Sequence, residues 1–199
     1  ASTHAGTTTL NTGAEDDTYG VALNHTCKDK RKREFFQNRD VRLALSLAIN
    51  RKEINELVYD GMLKPRQYRP PSQSPQYYPK LSNAYIEYDP KKANELLDKA
   101  GYKDKDAQGF RKWKDGSGET ISLILQTYTL GLEDQGAMII KNWADVGIKA
   151  TYKVVERSLG EQQGRVNEVD IEHHYLSRAI LPLVDPAFFI ATAQDKSWC

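Results

Sequence analysis

The stretch RLALSLAINR, residues 42–51, runs directly into KEINELVYDG and limits the possible folds more than any other feature of the chain. Val41, Leu43, Ala44, Leu45, Leu47, Ala48 and Ile49 leave almost no polar side to a helix wound through them. Such a helix has to be buried on most sides. Asn50 then stands where a second helix can begin, its side chain suited to accept the first free N–H groups, with Glu53 as the return half of a capping box. Ile54, Leu57 and Val58 line that second helix at spacings of three and four, and Gly61 ends it. The corner therefore predicts two joined helices over residues 40–60 inside a real core, which a chain of 199 residues is long enough to build.

Downstream, Asp89-Pro90 is a second start signal, with aspartate as cap and proline at the first helical position. Ala93, Leu96, Leu97 and Ala100 form the buried stripe of that helix, over 90–100, and Gly101 stops it. Strands are expected at 19–23, 121–128, 149–156 and 170–177, and helices at 132–146 and 158–167. Ile139, Trp143 and Val146 mark the core face of the first of these helices, with Gly147 as its stop. Strand, helix, strand, helix, strand implies right-handed crossovers feeding a parallel or mixed sheet. The fold class is α/β: a mixed sheet with the helices over 40–60 and 90–100 packed on it, in one domain spanning 1–199. Residues 1–17 are expected to be loop or a frayed end, and the proline-rich stretch 64–79 an extended surface loop.

Charge narrows the partners. Net charge is +1, so no global field recruits nucleic acid or a membrane surface, and no apolar run approaches the roughly 18 residues of a membrane span. CKDKRKRE packs five basic residues into positions 28–33, but Asp29 and Glu34 interrupt them, and a solvated loop before a helix is the expectation. Cys27 and Cys199 are read as unpaired thiols.

Two patterns suggest metals. Asp104, Asp106, Gln108 and Gly109, with Asp115 at the twelfth position, imitate a calcium loop. Gln at position five, the short Asp at twelve and a strand instead of a following helix favour a glycine-centred turn. His173 and His174 are adjacent, but neighbours on a strand point to opposite faces, so the expectation is one packed histidine and one exposed or facing a cleft. No metal and no cofactor is expected. The chain carries no glycine-rich phosphate loop, nucleophile elbow or metalloprotease motif, so it is not read as an enzyme.

Ligands of open α/β sheets sit beyond the carboxyl ends of the parallel strands. Gln126, Thr127 and Tyr128 after the first parallel strand, and Tyr175, Ser177 and Arg178 after the last, are therefore the candidate ligand-binding residues. Tyrosine offers a stacking face and a hydroxyl, and Arg178 a fork for a carboxylate. A self-standing interaction domain built around the basic run is the alternative, with an enzyme of unrecognised site ranked below it.

FFQNRDVRLALSLAINRKEINELVYDGMLKP resembles the second-lobe signature of family 5 extracellular solute-binding proteins, the receptors of peptide, nickel and oligosaccharide ABC importers. Phe36, Val41, Arg42, Ala44, Ala48, Ile49, Arg51, Ile54 and Gly61 stand at the pattern's positions. YDPKKANELLDKAGY, IIKNWADVGIKATYKVV and VDIEHHYLSRAILPLVDPAFF continue the match in register, over about residues 19–190. The resemblance implies one lobe of a type II periplasmic-binding-protein-like fold, excised from a longer two-lobe receptor. That receptor would capture an oligopeptide or oligosaccharide between its lobes and deliver it to an ABC permease. It implies as partners a small solute or short oligomer, the first lobe of the same receptor and the permease. The expected location is periplasmic or extracellular, with a lipoprotein anchor compatible with a missing N-terminus. Peptide-binding relatives hold the ligand's amino group with an aspartate just upstream of an Asp-Pro pair. Here Ala179 to Val184 precede Asp185-Pro186 with no acid among them, which disfavours a free peptide N-terminus; Asp185, a candidate ligand residue, substitutes for the missing acid only if the loop is rebuilt. Arg42 and Arg51 are expected to anchor the helical corner without touching ligand.

Overall fold

The structure is a computed structural model that describes residues 18–67, 72 and 74–176. Four strands form one mixed sheet: β1 (Thr18–Leu23), β2 (Ser122–Thr127), β3 (Lys149–Val154) and β4 (Ile171–Leu176), in the order β1-β4-β2-β3. β2 is parallel to both β3 and β4, with Leu125 opposite Ile171 and Gln126 opposite Glu172, while β1 closes one edge antiparallel to β4. The described residues hold seven helices: α1 (Lys30–Gln37), α2 (Arg39–Leu47), α3 (Arg51–Tyr59), α4 (Pro79–Ser82), α5 (Pro90–Lys99), α6 (Glu133–Asp145) and α7 (Arg157–Arg165).

The helical corner is present. Val41, Ala44, Leu45, Leu47 and Ala48 of the first arm are buried. Asn50 caps α3 by accepting the Glu53 N–H, but the capping box is altered. Glu53 Oε2 accepts from the Asn50 side-chain amide, and the Asn50 backbone N–H goes instead to Asn142 Oδ1 at 2.9 Å, tying the corner to α6. Ile54 is buried and Val58 half-buried, whereas Leu57 is 69% exposed, so the apolar stripe of α3 is narrower than its spacing suggested. The two arginines anchor as expected: Arg42 donates to the carbonyls of Phe36 and Gln37, and Arg51 to the carbonyl and hydroxyl of Ser46.

The basic run is not a loop. Asp29 accepts from the Arg31 and Lys32 N–H groups, so residues 30–34 open α1. The charges are paired off within the domain: Lys28 with Glu168, Lys30 with Glu34, Arg31 with Glu119, Lys32 with Asp170, and Arg33 on the Cys27 carbonyl. Cys27 is a buried free thiol, pushed up to about 11 by burial and by Asp170, and Cys199 lies outside the described residues.

The helices divide the work of covering the core differently from the sequence expectation. α5 packs on α2, and α6 is the helix laid on β3. That approach is close because Gly136 has no side chain, and a Cβ there would lie 2.0 Å from Tyr152 Cε2. Trp143 of α6 is 1% exposed and donates its indole N–H to the Leu45 carbonyl at 3.0 Å, joining α6 to the corner. Between α5 and β2 the Asp-rich segment is a turn: Asp106 accepts from the Gln108 and Phe110 N–H groups and from the Thr120 hydroxyl. Those oxygens are committed to the turn, which is the conformation the sequence favoured over a calcium loop.

Asp89 illustrates how local signals fix the boundaries. Its carboxylate accepts the Lys92 N–H at 2.9 Å while its own N–H donates to the Leu47 carbonyl at 2.9 Å. Asp89→Ala removes the cap and keeps the backbone bond. A loss of about 1 kcal/mol in urea denaturation is expected, the usual value of a carboxylate cap; an unchanged midpoint would show the cap idle.

Candidate functional site

Strand geometry sorts the candidate residues onto two faces. Gln126 and Tyr128 lie two apart, and Glu172 pairs with Gln126 while His174 follows two later, so these four share the face covered by α7. Leu125, Thr127, Ile171 and His173 face the other way, into the core. On the α7 face, Gln126 donates its amide to Gln163 Oε1 at 3.0 Å and is 6% exposed. The Tyr128 and His174 rings sit 4.7 Å apart, with the Tyr128 hydroxyl 3.4 Å from His174 Nε2. Thr129 Oγ1 lies 2.9 Å from His174 Nδ1, so both ring nitrogens are oriented. Glu172 is 7% exposed beneath them. Burial, and secondarily the Glu172 charge, holds the Tyr128 phenol well above its ordinary value, so it is a neutral donor at any physiological pH. Gly160 makes room for this cluster, since a Cβ there would lie 2.7 Å from Tyr128 Cδ1.

The core face carries a second polar set. His173 is fully buried, with Nε2 2.9 Å from Gln135 Oε1 and Nδ1 3.0 Å from the Tyr152 hydroxyl. Gln135 Oε1 also accepts from Tyr59. Burial lowers the His173 pKa to about 4, a small opposing influence coming from Glu133. With its proton on Nε2, a neutral ring donates to Gln135, and Nδ1 shares the single Tyr152 hydroxyl proton with the Leu132 carbonyl 3.1 Å from that hydroxyl. The two histidines thus divide as the alternation of a strand requires, one packed and one beside Tyr128 at the strand end.

Thr127 is fully buried and its hydroxyl accepts the Thr129 N–H at 3.0 Å, holding the turn that leaves β2. Tyr175 lies in β4 opposite Tyr19. Ser177, Arg178 and Asp185 lie outside the described residues. The structure therefore brings together Gln126 and Tyr128, and adds Thr129, Gln163, Glu172 and His174, which sequence reasoning missed. The missed strand residues had an available signal: alternation along β4 places Glu172 and His174 on one face, and register places that face beside Gln126.

The arrangement offers aligned donors, acceptors and an aromatic face at the carboxyl ends of parallel strands, the place where open sheets take ligands. Residues 3–193 match the model of the bacterial extracellular solute-binding proteins, family 5 Middle. The chain belongs to family 5. Its similarity extends to individual members. The oligopeptide-binding protein AppA of Bacillus subtilis (strain 168) is 33% identical over 138 residues, 68% of this chain and 25% of AppA. The periplasmic alpha-galactoside-binding protein of Rhizobium meliloti (strain 1021) is 31% identical over 98 residues, 48% of this chain and 14% of that protein. A solved oligopeptide-binding protein OppA superposes with a TM-score of 0.79 at 32% identity, covering 85% of this chain and 27% of that one. The chain thus spans about a quarter or less of the length of these curated relatives. Among the described residues no helix is long and apolar enough to cross a membrane.

Proposed function

We propose that the chain is one lobe of a two-lobe receptor outside the cytoplasmic membrane that captures a solute and delivers it to an ABC permease, with no catalytic step. The single observation that carries this reading is the family match over residues 3–193. The polar strand-end cluster supports it, because Tyr128 and His174, both partly exposed, place a phenol and a ring where a solute would meet the sheet, beside the buried Gln126. Tyr175, Ser177, Arg178 and Asp185 are the further candidate ligand residues of this reading. The solute is of the oligopeptide or oligosaccharide class, the two chemistries named for the relatives. No acid occurs among residues 179–184 to hold a free amino group, which supports an oligosaccharide first.

Ligands of this kind are buried on most of their surface, and one lobe covers only part of it. The 199 residues alone are therefore expected to bind oligosaccharides and oligopeptides weakly, with Kd no tighter than about 1 mM, or −4.1 kcal/mol. Calorimetry against a panel of both classes checks this. Nanomolar binding by these residues would overturn the two-lobe reading. In a receptor containing both lobes, saturating solute at about 100 Kd should add about 2.7 kcal/mol of stability. Tyr128→Ala and His174→Ala should remove most of that gain.

A further inference from the structure

A cavity of about 370 Å³ opens on the core side of β1, away from the strand-end cluster. Tyr19, Val21 and Leu23 of β1 form one wall, on the face that His173 and Ile171, opposite Val21 and Leu23, share. Ile54 and Tyr59 of α3 and Trp143 of α6 contribute to the others. The Tyr19 and Tyr59 rings lie parallel, 6.3 Å apart with 6° between their planes. Gln135, already bonded to Tyr59 and His173, supplies a polar side chain to the lining.

The charge of this lining is one-sided. Among the described residues Arg42, Arg51 and Lys64 line the cavity, and no aspartate or glutamate does. Two of these cations are bonded to neutral oxygens. Arg51 donates to the Ser46 carbonyl at 2.7 Å and the Ser46 hydroxyl at 2.8 Å. Arg42 donates to the carbonyls of Phe36 and Gln37. Among the described residues no carboxylate reaches either within 4.0 Å. Burial pulls the Arg51 pKa down to about 10, with Glu87 opposing from beyond ion-pair distance, as expected for a guanidinium short of a counter-charge. A buried cation gains most from an ionised partner when that partner also makes its hydrogen bonds.

We propose that this cavity is a second binding site, which takes a small carboxylate with an apolar, preferably aromatic, body. The body lies among Tyr19, Tyr59, Ile54 and Trp143, and the carboxylate faces the Arg51 end with Arg42 and Lys64 adding to the field. The size suits such a ligand, since small-molecule sites begin near 300 Å³. The site is separate from the strand-end cluster of the solute reading and does not depend on it.

Naphthalene-2-carboxylate and naphthalene-2-methanol share one apolar body and differ in charge. Titrated calorimetrically into the 199-residue chain, the carboxylate is expected to bind saturably and at least about tenfold more tightly than the alcohol, a difference of about 1.4 kcal/mol. Arg51→Gln should erase most of that difference while leaving alcohol binding in place. Lys64→Gln, at an exposed lining position, should weaken the carboxylate alone and serves if Arg51→Gln unfolds. Equal affinity for acid and alcohol, or no saturable binding of the carboxylate at millimolar concentration, would overturn the assignment.

Discussion

Arg111→Ala is expected to cost about 3–5 kcal/mol of folding stability, the usual loss when one partner of a buried charged network is removed. Arg111 is 1% exposed. Its Nε donates to the Val146 carbonyl at 2.8 Å, Nη1 to Asp98 and to the Tyr102 carbonyl, and Nη2 to Asn94 Oδ1 at 2.6 Å. Its backbone N–H donates to the Gly147 carbonyl and its own carbonyl accepts from Ile121. One side chain therefore fastens the end of α5, the turn before β2 and the end of α6. Truncation leaves several buried acceptors without donors and a void as well. Arg111→Lys should recover less than half of the loss, because one ammonium cannot span acceptors arranged around a planar fork. For a domain of this size each kcal/mol is worth about 2–4 °C, so a fall of roughly 10 °C is expected for the alanine variant. A loss under about 1 kcal/mol in urea denaturation would show that water replaces the guanidinium's partners.

Arg111 also marks where sequence reading stops. In GFRKWKDG it is one cation among several, and its neighbour Lys112 gives no hint of a different fate. Its burial follows from acceptors at 94, 98, 102 and 146 converging on one point, which is a tertiary fact with no local periodicity. Signals that act within a few residues were legible. Asn50 and Asp89 cap the helices they were expected to cap, and the strands and later helices fall within a residue or two of their expected positions. Leu57 misled because spacing gives the direction of a helix face and not its width, and α3 has little to bury against at that position. The Lys and Arg run misled because its charges suggested a solvated loop, whereas Asp29 accepts from the Arg31 and Lys32 N–H groups and opens α1 within the run. The strand-end cluster was half legible: Gln126 and Tyr128 followed from where the strand ends, while Glu172 and His174 needed the register between β2 and β4. Family membership was legible because it rests on many weak matches at fixed spacing. The solute stays a proposal because it depends on a few side chains at the strand ends and beyond.

His173 should make the domain acid-sensitive in a window set by its own burial. Its folded pKa of about 4 lies below the ordinary 6.5, and burial is the first cause. The unfolded chain therefore binds a proton that the folded chain refuses. Stability from this group is complete above pH 6.5 and is lost as the pH falls toward 4. At about 1.4 kcal/mol per pH unit the full effect is about 3 kcal/mol. His25 is shifted in the same direction, by burial and then by Arg42, so the intact protein's profile mixes two histidines. Carboxylates add to the loss at the acid end. The difference between the parent chain and His173→Gln isolates the one group. The variant should be less stable at pH 7, because Gln135 and Tyr152 lose a well-placed partner, yet its stability should fall less steeply between pH 6.5 and 4. Urea midpoints at pH 7, 5.5 and 4.5 decide it. Parallel profiles for the two proteins would mean that His173 takes up its proton inside the fold, with Gln135, Tyr152 and the Leu132 carbonyl that the Tyr152 hydroxyl reaches stabilising the charged ring.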